Sequence, residues 1–263
     1  MSMESRSPES ATDQTAPLRG KVAIITGASR GIGAAAARAF ARAGAAVALA
    51  ARDERSLDAV VRDIRDAGGD ALGVPTDVGD PAAVERLVRR TLDTYGHLDV
   101  AFNNAGANQA SSPLADLAVD EFDRVARVNL RGVFLALKYE IPAMRDGGAI
   151  VNMSSTAGLS GAPGIAAYVA TKHGIVGLTR VAAVECAARG IRVNALAPGP
   201  TLNERIARLD DAGRERIAQH IPLRRIGSPE EIAAAAVWLC SDQAAFITGT
   251  VLTVDGGKLA ATA

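Results

Sequence analysis

From Lys21 onward the chain alternates short apolar runs of strand length with longer stretches of helical period, and no other feature narrows its fold as far. Residues 22–26 form an apolar run that stops at a glycine, residues 32–43 carry a helical pattern, and residues 46–50 are apolar again. Residues 56–67 then place Leu57, Val60, Val61 and Ile64 on one helix face. Further strands are predicted at 71–74, 100–102, 149–153, 191–196 and 251–254, with helices at 82–95, 119–144, 165–188 and 230–239 between them. Strand and helix periods in this order imply βαβ units. The expectation is a single α/β domain with a doubly wound parallel sheet of about seven strands and helices on both faces. Regularity lapses between Pro198 and Pro229, and the insert at about 200–226 is too long for an ordinary connection, which suggests a lid.

Composition excludes several classes. Among 263 residues the 29 basic and 29 acidic side chains cancel, so no basic field attracts nucleic acid or an anionic membrane. The apolar run at residues 45–51 is far too short to span a bilayer. Residues 1–17 are polar, acidic and serine-rich without the features of a signal peptide, so they read as a disordered tail before a domain at 18–263. Cys186 and Cys240 sit in apolar helical stretches as buried thiols, and with His97, His173 and His220 they show no metal-ligand spacing. A cytoplasmic protein that binds no metal is expected.

Thr26-Gly27-Ala28-Ser29-Arg30-Gly31-Ile32-Gly33 lies where the first strand hands over to the first helix. Glycines there permit a tight turn and close approach of the backbone to a pyrophosphate resting on the helix N-terminus. The second strand ends Ala50-Ala51-Arg52-Asp53. Ala51 leaves empty the acidic position that grips ribose hydroxyls in NAD binders, while Arg52, helped by Arg30, can meet a 2′-phosphate. Asp53 caps the next helix or, in a shifted turn, reaches the ribose. NADP(H) is therefore the expected cofactor, with NAD(H) possible.

Tyr168 and Lys172 stand four apart on a predicted helix and project from one face. At roughly 5 Å and an effective dielectric near 20, the ammonium would stabilise a phenolate by about 3 kcal/mol, or roughly two pK units. A tyrosine so tuned passes a proton near neutral pH. Ser155 lies thirteen residues upstream of Tyr168. Its neighbour Ser154 should face the opposite way along the strand, and His173 lies about 100° around the helix from Lys172.

Together these residues resemble the short-chain dehydrogenase/reductase family, close to 3-oxoacyl-[acyl-carrier-protein] reductase-like members, over residues 18–259. The motifs that carry the resemblance are Thr26, Gly27, Gly31 and Gly33; Asp77-Val78; Asn103-Asn104-Ala105-Gly106; Asn129; Ser155, Tyr168 and Lys172; and Pro198-Gly199-Pro200-Thr201. The resemblance implies a Rossmann-type fold and catalysis by Asn129, Ser155, Tyr168 and Lys172. Tyr168 would be the general acid/base, Ser155 the partner of the substrate oxygen, and Lys172 the depressor of the tyrosine pKa and holder of the nicotinamide ribose. Asn129 would position a water. It also implies cofactor contacts at Gly27, Ser29, Arg30, Gly31, Ile32, Gly33, Arg52, Asp77, Val78, Asn104, Ala105, Gly106, Tyr168, Lys172, Pro198, Gly199 and Thr201. One departure is Asn203, where many relatives carry threonine near the cofactor phosphates.

In the insert, Leu202, Ile206 and Leu209 recur at about one helical turn, as do Ile217 and Ile221. The other candidate pocket walls, Ala107-Asn108-Gln109 and Ala157-Gly158-Leu159-Ser160-Gly161, carry no charge, so a neutral ketone, aldehyde or secondary alcohol is the expected substrate. Two alternatives are a reductase of 3-oxoacyl groups on an acyl carrier protein, with Arg145 and Arg189 at its mouth, and a dinucleotide sensor without turnover. The surplus of apolar positions on the two long helices, together with the family resemblance, implies a homotetramer.

Overall fold

The computed structural model describes residues 16–261; residues 1–15, most of the stretch read as a tail, lie outside it. The alternating pattern folds as β1 (Val22–Thr26), α1 (Gly31–Arg42), β2 (Ala46–Ala51), α2 (Glu54–Asp66), β3 (Ala71–Pro75), α3 (Pro81–Tyr95) and β4 (Val100–Asn103). A second half follows with α4 (Val119–Ala126), α5 (Gly132–Ala143), β5 (Ala149–Met153), α6 (Ala166–Cys186) and β6 (Arg192–Pro198). It ends with α7 (Glu204–Ala207), α8 (Asp211–Gln219), α9 (Pro229–Cys240) and β7 (Val251–Val254).

The seven strands are all parallel in the order β3-β2-β1-β4-β5-β6-β7. Central strands buried on both faces read as continuous apolar runs, and alternate residues serve opposite cores. Ile25 and Leu49 pack with α1, α2 and α9, whereas Ile24 and Ala48 pack with α3, α5 and α6. Four consecutive alanines of α1, Ala34 to Ala37, are buried, and such small side chains let helices lie close to the sheet and to each other. Chain direction reverses outward from β1 and β4, so the loops after these two strands part and open a crevice at their C-terminal ends.

Two elements depart from the sequence reading. The helix expected over 119–144 is interrupted at Arg127–Arg131 by a five-residue π turn. That turn holds an extra residue against the regular spacing, and it carries Asn129 to full burial. The insert after β6 forms two short helices, α7 and α8, each capped by its own first-turn acceptor, Asn203 and Asp210. Ile206, Ala218 and Ile221 are its buried underside, while Leu202 and Leu209 remain exposed.

Candidate active site

The crevice is built by stapling β1 to β4. Thr26 Oγ1 accepts from the backbone N–H of Asn104 and Ala105 at 3.0 and 3.1 Å, and Asn104 Nδ2 donates to the carbonyls of Thr26 and Gly27. Gly27 adopts φ +67°, and a Cβ there would fall 2.8 Å from Ala105 Cα. A Cβ on Gly33 would fall 2.0 Å from Gly27 O, so α1 can approach this turn only with glycine. In front of Gly31 the space is open. No side chain caps α1 and no acidic residue lies in its first turn, which leaves its N–H groups aimed at open space. This cradle fits a dinucleotide pyrophosphate.

At the end of β2, Ala51 is buried and Arg52 exposed. Asp53 caps α2, accepting from the Ser56 N–H and hydroxyl, and these bonds hold its carboxyl below the usual range. At Asp77 burial acts to raise the carboxyl pKa, but Arg127 at 2.7 Å, the Gly79 N–H and the nearby charge of Arg52 outweigh it and keep the pKa low. Val78 is buried against Gly132. Arg30 turns toward the insert, where it meets Glu204 of α7 at 3.4 Å.

Ser155, Tyr168, Lys172 and Asn129 come from three elements. Ser155 follows β5 and accepts from the Ala157 N–H at 3.1 Å. The Tyr168 phenol of α6 lies near enough that the serine hydroxyl acts to lower the phenol's pKa. Lys172 is buried, donates from Nζ to Met153 O at 2.7 Å, and lies 5.5 Å from the centre of the tyrosine ring. Asn129 accepts from Ala107 N–H at 2.6 Å and donates to Ala107 O and to Thr171 Oγ1. Gly106 sits between these groups, its Cα side facing Asn129 Oδ1 and Lys172 Nζ. Ser154 points away and donates to Lys172 O. His173 is exposed and bonds to the carbonyl of Val169.

One electrostatic expectation requires correction. Against the lowering expected from Lys172, burial pushes the Tyr168 phenol up in this structure, and Ser155 acts to pull it partly back. The physical reason is that a phenolate there would be desolvated; burial acts on Lys172 as well, bringing its own pKa down to about 8. The desolvation cost of a buried anion can exceed the Coulombic help of a neighbouring cation.

The segment after β6 is tied back by Gly199 N–H to Val254 O and by Gly227 N–H to Pro200 O. Thr201 is buried and donates to Gly199 O. Asn203 uses its amide within its own turn, accepting from Ile206 N–H and donating to Thr201 O. Arg189 is engaged by Asp146 and by the carbonyls of Ile141 and Met144, so it does not stand as a free basic group. Three polar residues escaped the motif reading: Thr171, which links Asn129 to Tyr168 O; Glu140, buried against Asn103; and Gln109, considered only as a pocket wall. The available signal for Glu140 was a lone acid in an apolar helix. Among the described residues no group of histidine, cysteine and carboxylate side chains could hold a metal ion, and no helix is long and apolar enough to cross a membrane.

The family model described as Enoyl-(Acyl carrier protein) reductase matches residues 27–258. The A-factor type gamma-butyrolactone 1'-reductase (1S-forming) of Streptomyces virginiae is 44% identical to this chain, over 94% of it and 98% of the relative. The short-chain dehydrogenase/reductase from Serratia marcescens superposes with a TM-score of 0.88 at 38% identity, covering 92% of this chain and 99% of that one. The chain belongs to the short-chain dehydrogenase/reductase family. As a member of that family it is an NAD(P)-dependent oxidoreductase that interconverts a carbonyl and a secondary alcohol. Another solved structure, a blue fluorescent protein from a metagenomic library in complex with NADPH, has a TM-score of 0.86 at 33% identity, over 92% of this chain and 99% of its own.

Proposed function

We propose that the protein is an NADP(H)-preferring oxidoreductase of neutral ketones and secondary alcohols, with Tyr168 as its general acid/base. The observation that carries this reading is the meeting of Ser155, Tyr168, Lys172 and Asn129 beside Gly106, at the mouth of the glycine cradle. The cofactor would lie between that cradle and the β6 segment, held by Gly27, Ser29, Gly31, Ile32 and Gly33 at the phosphates, Asp77 and Val78 at the adenine, and Asn104, Ala105, Gly106, Pro198, Gly199 and Thr201 toward the nicotinamide. When bound it supplies or accepts the hydride.

The chain's own residues handle the proton. Tyr168 delivers it to the carbonyl oxygen during reduction and removes it from the alcohol during oxidation. Ser155, beside the phenol, steadies the oxygen as negative charge grows on it. Lys172 holds the ribose hydroxyls from its seat on Met153 O, and Asn129 fixes the wall at Ala107. For the phosphate preference the support is Ala51 with Arg52: the first offers no carboxylate to a ribose hydroxyl and the second is exposed to meet a phosphate. Arg30 joins it if Glu204 lets go. Pocket walls at residues 107–109 and 157–161 are uncharged, which favours a neutral substrate, and the insert at 200–226 closes over it as a lid.

Oligomerisation belongs to the same reading. Phe134, Val181 and Val184 are 48%, 55% and 79% exposed on the adjoining faces of α5 and α6, and Trp238 and Phe246 are exposed near the β7 edge. Two separate apolar faces suit a homotetramer with twofold axes. The two free, buried cysteines suit the reducing cytoplasm. A panel of neutral carbonyls followed with NADPH and with NADH, repeated on Tyr168→Phe, tests the chemistry. Faster turnover with NADH, or full activity without the phenol, would refute the corresponding part.

A further inference from the structure

Helix α6 has Ile165 at its N-cap, a residue whose side chain cannot cap it. Its first intrahelical bond runs from Val169 N–H to Ile165 O, so the N–H groups just before it need partners from outside the helix. Two of them find the same atom. Gln109 Oε1, 59 residues before Tyr168 in sequence, accepts from Ala167 N–H at 2.9 Å and from Tyr168 N–H at 3.3 Å. The other end of the amide, Nε2, donates to Gly164 O at 3.3 Å, which fixes its orientation. Gln109 is only 9% exposed, so water competes poorly for these bonds. On the other side of the same residue, Thr171 Oγ1 donates to Tyr168 O at 2.8 Å.

We propose that Gln109 is a positioning residue for Tyr168, acting as a remote N-cap that keeps the first turn of α6 wound and the phenol in register with Ser155. The inference rests on Tyr168 being the acid/base. Terminal turns fray when their N–H groups lack acceptors. Tyr168 sits in such a turn, whereas Ser155 follows the buried strand β5. The loop carrying Gln109 is itself anchored, because Asn129 binds both the N–H and the carbonyl of Ala107. A hydrogen-bonded path therefore runs from the π turn through Ala107 and Gln109 to the tyrosine's own peptide.

Two variants separate hydrogen bonding from packing. Gln109→Met keeps the length and apolar stem but accepts nothing, and Gln109→Glu keeps an acceptor. Gln109→Met should lower kcat by roughly tenfold or more while leaving the cofactor KM within about twofold, because the cradle is untouched. Gln109→Glu, which keeps the acceptor but loses the donor to Gly164 O, should recover part of that loss. Amide hydrogen exchange on the full chain should show Ala167 and Tyr168 losing protection in Gln109→Met, with later turns of α6 unchanged. Equal kinetics for the two variants, a parallel loss of cofactor affinity, or unchanged exchange at those two amides would overturn the proposal. If Tyr168→Phe stays active while the exchange result holds, the assignment of the acid/base has failed and the cap has not.

Discussion

Replacing Glu140 with glutamine should stabilise the protein, and increasingly so as pH rises from about 4.5 to about 7. Glu140 is 1% exposed, and burial lifts its carboxyl from 4.5 to about 7 although Asn103 Nδ2, at 2.9 Å, favours the ionised form. The folded state therefore holds this proton more tightly than the unfolded chain does. Neutral Glu140 contributes its full stability below about pH 4.5, and that contribution is lost as pH rises through about 7. A displacement from 4.5 to about 7 corresponds to on the order of 3 kcal/mol at about 1.4 kcal/mol per unit. Glutamine cannot ionise yet still offers an oxygen to Asn103. Urea unfolding of both proteins at fixed protein concentration, from about pH 4.5 to 8, should show their stability difference widening by about 3 kcal/mol. A constant difference across that range would mean that Glu140 stays ionised in the fold and would refute the argument. Because Asn103 also donates to Asn152 Oδ1 and precedes the crevice residue Asn104, alkaline loosening should reach the cofactor floor as well.

Tyr168→Phe should cut kcat by roughly 10²- to 10⁴-fold while NADPH binding, followed by fluorescence, is retained. Arg52→Ala should reduce the NADPH-over-NADH ratio of kcat/KM by about tenfold or more, the worth of one charged hydrogen bond. Gly33→Ala forces a methyl to within 2.0 Å of Gly27 O and should abolish dinucleotide binding in a titration even where the protein folds. Val181→Glu places a charge on the exposed α6 face and should lower the mass seen by light scattering from tetramer to a smaller species.

The sheet was legible because each buried strand is a short apolar run and each helix a longer periodic one. The same local reading found the cap at Asp53, since an acid before a helix satisfies its first N–H groups. What sequence spacing could not disclose were contacts that join distant segments. Nothing near Ile165 names Gln109 as the acceptor for that helix start, and nothing in Arg127–Arg131 announces a π turn. The Tyr168–Lys172 spacing placed two side chains together, but the state of the pair depends on Met153 O and on burial, which are properties of the assembled interior.

The π turn at Arg127–Arg131 has the character of an inserted residue retained by the chain. Deleting one residue from it would restore regular winding and turn everything downstream by about 100° relative to α4. Asn129 faces the interior at Ala107, while Phe134, a few residues on, faces outward on α5. A shortened helix could satisfy one of these directions and not both. That single extra residue therefore lets one rod serve the reacting centre on one side and a neighbouring surface on the other, and a chain that lost it would have to give up one of the two.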